Sequence, residues 1–172
     1  MQRFSLKRYR YVAMTPVIRT ASREDFDQIG GLFRALDQLH VSLLPDTFQG
    51  FDGPVRPTEI LERKVDSEDS TLFVADLGRV LVGFVDVQII QSPNAPMFKP
   101  NRFGLIDNLY VQPELRGSGL ANRLFESACD WSRNRGLRQV RLKVYEANRG
   151  AVRFYEQKLG MRRIDTAFQL DL

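Results

Sequence analysis

The stretch from Phe103 to Ala121 limits the fold more than any other part of this chain. Phe103 to Val111 is strand-like, and Arg116-Gly117-Ser118-Gly119 then leads directly into a helix that begins near Leu120. Leu120, Leu124, Ala128 and Trp131 recur on one face of that helix, and Gly136 marks its end. A helix start presents backbone N–H groups without internal partners, and its dipole favours negative charge. Glycines at 117 and 119 let a bulky anion approach the backbone, or else serve a tight turn that needs positive φ. Arg116 adds a charge able to pair with phosphate. On these residues alone the two uses of glycine carry equal weight.

The rest of the chain supplies the elements around this unit. Val17-Ile18-Arg19 is a short strand, and Ser22 is a helix N-cap followed by acidic Glu24, Asp25 and Asp27. Phe26, Ile29, Leu32, Phe33, Leu36 and Leu39 keep helical spacing to about His40. Pro45 closes that region, and a loop rich in Gly and Pro leads to a second helix over Thr58–Val65. Strands at 71–75 and 80–90 flank the hairpin turn Leu77-Gly78-Arg79. Residues 91–102 hold three prolines and form a long loop. Val140–Val144 alternates as a strand, Gly150–Lys158 is helical, and Ile164–Leu170 is expected to be a terminal strand. The order β-α-α-β-β-β-α-β-α-β describes one mixed α/β domain over residues 16–172. Residues 1–15, with Arg3, Lys7, Arg8 and Arg10 and no acid, are expected to form a flexible extension; the same residues are loosely compatible with an organelle-targeting peptide.

Composition excludes several chemistries. One cysteine forms no intrachain disulfide, and one histidine with one cysteine assembles no zinc-type cluster, so no metal is expected. No apolar run reaches the roughly 20 residues that span a bilayer, so no membrane association and a cytoplasmic location are expected. A net charge of +4 suits a ligand carrying phosphates. It falls short of the dense basic stripe that nucleic acid demands, and Arg133, Arg135, Arg138 and Arg141, flanked by Glu126, Asp130 and Glu146 and without an aromatic stacking array, are expected to be a solvated face.

Arg116-Gly117-Ser118-Gly119-Leu120-Ala121 matches neither a P-loop nor a dinucleotide fingerprint. It resembles the Arg/Gln-x-x-Gly-x-Gly/Ala signature of the GNAT N-acetyltransferases, with Val111-Gln112-Pro113 in front as that family usually has it. Downstream, Asn148, Ala151, Phe154, Tyr155 and Leu159-Gly160-Met161 are similar to the family's Asn-x-x-Ala-x-x-Phe-Tyr…Gly-Phe block. The resemblance spans about residues 17–170. It implies a single-domain fold with a mixed, mostly antiparallel central sheet, helices on both faces and strands splayed at the cofactor site. It also implies acetyl-CoA as co-substrate and a small-molecule or peptide amine as acceptor. Main-chain groups of Leu109, Tyr110 and Val111 would meet the pantetheine arm, amides of Arg116 to Ala121 the pyrophosphate, and Asn148 the cofactor from the next loop. Ala121 stands where many members have Gly. Dimers are common in the family, and nothing in this chain decides the matter.

Protonation states shape the mechanism this implies. An alkyl amine has pKa ~10.4 and a thiol ~8.5, so a base that deprotonates the amine and an acid that protonates the leaving thiolate both help. Tyr155 occupies the family's usual acid position. Asp107 is the candidate base: its neighbours in Leu105–Val111 should be well buried, which would raise its pKa. Some members carry Glu at this apparent position; the shorter Asp calls for a bridging water. Its alternative is a strand aspartate tied to a bulge or to a substrate ammonium. Asn108 points to the opposite face if the strand is regular.

His40 is expected to be a helix-end surface residue, with a substrate-side role as the alternative. Cys129 is expected to pack, and Phe98 and Phe103 to cap the acceptor site on a mobile loop. Asp46, Asp52 and Asp107 hint at a cationic acceptor. Against the catalytic transferase stands one alternative, a non-catalytic acyl-CoA-binding regulatory module of the same fold.

Overall fold

Alternating apolar residues in four consecutive strands have to bury two faces at once, and one sheet with helices on each side does so. The computed structural model describes residues 15–170. Among them β1 (Val17–Thr20), β2 (Ser70–Asp76), β3 (Leu81–Gln91), β4 (Arg102–Val111) and β5 (Val140–Leu142) form one sheet in the order β1-β2-β3-β4-β5. The first four strands pair antiparallel with their neighbours, and β5 joins β4 in parallel. The helices are α1 (Phe26–Leu43), α2 (Thr58–Asp66), α3 (Leu120–Asn134) and the short α4 (Arg149–Arg153). The single α/β domain and the mixed sheet inferred from the sequence are those observed.

Each face has its own core. Ile29, Leu32, Phe33 and Leu36 of α1 and Leu61 of α2 pack on Leu72, Val74, Leu81, Phe84 and Tyr110, with the Phe33 and Phe84 rings 4.4 Å apart. On the other face Leu120, Leu124, Phe125, Ala128 and Trp131 of α3 meet Ala75, Val82, Val85, Val87, Ile106 and Val111. At the start of α1 a 3-10 turn, Arg23–Asp25, replaces the first helical residues. There the Asp25 carboxylate accepts from the Ser22 N–H at 2.8 Å and from Arg19 at 2.7 and 2.8 Å. The β2–β3 hairpin turns on Gly78 and Arg79, both at positive φ (63° and 72°), the pattern of a two-residue type I′ turn.

Three expectations need correction. The strand expected over Val140–Val144 stops at Leu142. The helix expected over Gly150–Lys158 is α4 followed by a wider π turn, Phe154–Lys158, in which the Leu159 N–H donates to the Phe154 carbonyl. That turn and positive-φ Gly160 bring Leu159 and Met161 onto the α3-side core. No terminal strand forms over Ile164–Leu170 among the described residues. Ile164, Phe168 and Leu170 are exposed there, so their alternation buries no face. The N-terminal extension lies outside the described residues except for Thr15.

Candidate functional site

The site begins with a defect in β4. Along the β3–β4 ladder Asp86 pairs with Asn108 and Val87 with Ile106, so Asp107 is the extra residue of a β-bulge. A bulge bends its strand and sharpens the local twist. The β4–β5 pairing ends at the same point, after Gly104–Val140, Leu105–Arg141 and Ile106–Leu142. Beyond it β4 continues to Val111 with its outer edge unpaired by β5, which is the splay implied by the resemblance.

The ladder determines which main-chain groups face that open edge. The Gln112 N–H donates to the Val82 carbonyl, so Gln112 points at β3. Alternation then turns Tyr110 towards β3 and leaves Leu109 and Val111 facing outwards. Val111 offers a carbonyl that already accepts from Arg116 Nε at 3.2 Å. The Tyr110 side chain lies in the α1-side core, with the Arg116 guanidinium 5.8 Å from its ring centre.

Downstream, Pro113–Leu115 makes a 3-10 turn and the loop enters α3. Gly117 and Gly119 both have positive φ, 80° and 84°, and Gly119 is the N-cap of α3. Positive φ answers the turn requirement, and a Cβ at either position would meet nothing within 4 Å. The loop therefore needs glycine for its path and also keeps open space over its amides. Gly117, Ser118 and Gly119 are exposed, Leu120 is buried, and the first N–H groups of the 15-residue α3 point out of its end. The Ser118 hydroxyl donates to the Leu115 carbonyl at 2.7 Å, which pins the loop.

Asn148 caps α4: its Oδ1 accepts from the Ala151 N–H at 3.1 Å. Tyr155 lies in the π turn, half-buried beside Phe154 at 5.4 Å between ring centres. Desolvation pushes its phenol up to about 12, so the group holds its proton at neutral pH.

Asp107 is not desolvated as its neighbours suggested. Its side chain is 29% exposed, accepting from Gln88 Nε2 at 2.6 Å and from Lys64 Nζ at 3.2 Å. The buried carboxylate is Asp86, fully enclosed, with Lys64 Nζ at 2.5 Å. Burial raises the Asp86 carboxyl above its ordinary range, against the pull of Lys64. Burial alone would lower Lys64, but Asp86 and Asp107 together outweigh it and hold the ammonium charged. The bulge also breaks the expected alternation. Asn108 does not oppose Asp107 across the sheet; its side chain donates to Asp86 at 3.1 Å, so both reach the Lys64–Asp86 pair. Sequence reasoning missed this pair. A charged residue inside the apolar run Leu81–Ile90 was the available signal for Asp86, and nothing in the local pattern singles out Lys64.

His40 lies at the helix end as expected, but is half-buried rather than fully exposed. Its ring lies 5.3 Å from Phe48 and 6.0 Å from Tyr145, and those two are 5.4 Å apart. The trio ties the end of α1 to the segment that follows β5. Burial lowers the His40 pKa, with Asp37 opposing and Arg56 adding to the shift. Asp46 and Asp52 are exposed in the loop before α2, and Arg56 braces that loop on Asp37 at 2.9 Å. Residues 92–101, with Phe98, leave the sheet at the start of β4, the end remote from the glycine loop. Cys129 is buried against α3's core and pushed up to about 11 by burial. Arg135 stacks over Trp131 at 4.0 Å and Arg133 pairs with Asp130 at 2.5 Å.

Among the described residues no group of three or more His, Cys, Asp or Glu is placed to hold a metal ion, and no helix is long and apolar enough to cross a membrane.

The model of one family, described as Acetyltransferase (GNAT) family, matches residues 36–161. The aminoglycoside N(6')-acetyltransferase type 1 of Stenotrophomonas maltophilia is 28% identical over 130 residues, 75% of this chain and 75% of that one. Other curated relatives are matched over 30% to 62% of their own length. Among solved structures, a tetramutant of the BH1408 protein from Bacillus halodurans superposes with TM-score 0.83 at 26% identity, over 91% of this chain and 99% of that one. The aminoglycoside N-acetyltransferase AAC(6')-Iy in complex with CoA shares the fold, with TM-score 0.69 at 17% identity, over 91% and 98% of the two chains.

Proposed function

This chain belongs to the acetyltransferase (GNAT) family, and on that footing we propose that it transfers the acetyl group of acetyl-CoA to a primary amine by direct attack in a ternary complex. The observation that carries the proposal is the pairing of an open β4 edge with a glycine-bent helix start at its end. An extended amide-bearing arm fits the first, and a pyrophosphate fits the second. Leu109 and Val111 are assigned to the arm through their outward main-chain groups; Tyr110, expected to join them, turns its main chain to β3 and buries its side chain in the α1-side core, so it is left out of the assignment. The amides of Arg116, Gly117, Ser118, Gly119, Leu120 and Ala121 are assigned to the pyrophosphate. Arg116 adds positive charge, and Asn148 keeps its side-chain NH₂ for the cofactor while its oxygen caps α4.

The thioester supplies an activated acyl group; the protein's own groups manage protons. Asp107, solvent-accessible at the bulge, is assigned to take the proton of the acceptor ammonium directly or through one water. Tyr155 retains its proton far above neutral pH and is assigned to donate it to the departing thiolate. The acceptor is proposed to be a small cationic amine. The acidic residues at 46, 52 and 107 support this, as does the aminoglycoside acetyltransferase among the relatives.

The experiment is release of free thiol from acetyl-CoA with a mixed panel of amines. Thiol released with at least one amine class, beyond the slow hydrolysis without amine, is the expected result. Tight CoA binding with no thiol from any amine would replace the transferase with the binding-module alternative. A glutamate at position 119 would add bulk and negative charge to the cradle and force a side chain into positive φ. Gly119→Glu is therefore expected to abolish CoA binding in calorimetry, and wild-type affinity would remove the pyrophosphate assignment.

A further inference from the structure

A carboxylate taken fully out of water is costly unless it is paired and hydrogen-bonded. Asp86 meets that condition at one place in the sheet. Its Oδ1 accepts from the Asn108 main-chain N–H at 2.8 Å, and the Asn108 side-chain amide donates to its two oxygens at 3.1 and 3.3 Å. The N–H it holds lies immediately after the bulged residue, where β4 leaves its regular register and β5 stops pairing. Asp86 is thus bonded to the backbone at the point where the splay begins.

Lys64 is the second half of the device. Its ammonium is shared between Asp86 Oδ2 at 2.5 Å and Asp107 Oδ2 at 3.2 Å, with only 19% of its side chain exposed. The groups facing Asp107 are therefore Lys64 from α2, Asp86 and Gln88 from β3, and its own neighbour Asn108. One cation divided between two carboxylates leaves a net negative charge on the cluster. The cation stands between a carboxylate that is fully buried and one that reaches solvent.

We propose that Asp86 and Lys64 are positioning residues for the transfer reaction: Asp86 holds the bulge that presents Asp107 and opens β4, and Lys64 balances the charge on Asp107. The inference rests on the acetyl-transfer proposal above. Asp86 has no exposed atom with which to meet either substrate, so it acts only through Asn108 and Lys64.

The test uses the full chain, acetyl-CoA and an amine that the wild type accepts, with kcat and KM followed across pH. In Asp86→Asn the amide still accepts from Asn108, but Lys64 pairs with Asp107 alone. The acid limb of kcat/KM is expected to move down by about one pH unit, and the plateau to fall because the carboxylate is a weaker base. In Lys64→Met two carboxylates face each other without a cation, and the acid limb is expected to move up by about one unit. The double variant should return towards the wild-type position, and KM for acetyl-CoA should change little in all three. A purely structural role does not produce limbs that move in opposite directions. Limbs that stay in place, or move the same way, overturn the inference while leaving the transferase proposal intact. A wild type silent with every amine removes both. Independently of turnover, hydrogen exchange at the Asn108 amide should stay slow in Asp86→Asn and become fast in Asp86→Leu; equal protection in the two would remove the role at the bulge.

Discussion

Tyr155 is the residue proposed as the acid, and its surroundings change what that role demands. A free phenol titrates near 10, whereas desolvation in the π turn pushes this one up to about 12. The shift acts in two directions: it extends the protonated range upwards, and it makes the phenol a weaker donor to a thiolate whose conjugate acid titrates near ~8.5. The wild-type rate is therefore expected to show no loss through Tyr155 ionisation up to pH ~10. A fall centred well below that, absent in Tyr155→Phe, would argue against the raised value. Tyr155→Phe itself should lower kcat by about 100-fold or more with little change in KM for acetyl-CoA. An unchanged rate would remove the tyrosine from the acid role. Cys129 has the opposite fate. Its thiol is buried and pushed up to about 11, so the native protein should not react with a thiol reagent at neutral pH until it is unfolded.

At the level of elements, the site depends on how closely β3, β4 and α3 approach one another. Gly83 in β3 lies where an added Cβ would stand 2.7 Å from the Tyr110 carbonyl oxygen and 3.2 Å from Leu124 of α3. The first neighbour is backbone, so Gly83→Ala has to displace β4 beside the open edge. A loss of about 1–3 kcal/mol in denaturant unfolding is expected, together with a higher KM for acetyl-CoA. Unchanged values of both would show that β4 yields freely. The start of α1 carries a separate electrostatic brace. The Arg19 hydrogen bond, against the opposing effect of burial, holds the Asp25 carboxyl down at about 2, with Ser22 adding to it. A depressed carboxyl stabilises the fold above its unfolded pKa, and that contribution disappears as pH falls through about 2. Asp25→Asn should accordingly lose stability at pH 7 and lose little more on acidification. A wild-type-like acid slope in the variant would contradict the brace.

For the whole molecule, the proposed cofactor cradle and the sheet are one construction: the same strand that carries the bulge ends in the glycine loop that starts α3. Ligand binding at that joint should stabilise the entire domain. At a CoA concentration of 100 times Kd the expected gain is about 2.7 kcal/mol, seen as a rise in Tm of roughly 5–10 °C for a chain of this size. No rise in Tm at saturating CoA would count against the cradle.

The sequence by itself determined the α/β class, the order of elements through α4, the glycine loop at the start of α3 and the two blocks that resemble the acetyltransferase family. These are local or motif-level properties: period, caps, turn residues and fixed spacings within a few residues. It misplaced Ile164–Leu170: alternation signals a strand only where one face is buried, and here Ile164, Phe168 and Leu170 are exposed. It also placed Asp107 in a desolvated site and Asn108 on the opposite face, because a bulge arises from pairing between two strands. Only the tertiary structure decided that Asp86, 21 residues before Asp107, is the buried carboxylate, and that Lys64 from α2 neutralises it. Charge burial and pairing are set by contacts between distant segments, which no spacing within one segment encodes. The opening between β4 and β5 was implied by the family resemblance, but its local cause, the bulge at Asp107 where β5 stops pairing, is a property of the ladder and appears only in the tertiary structure.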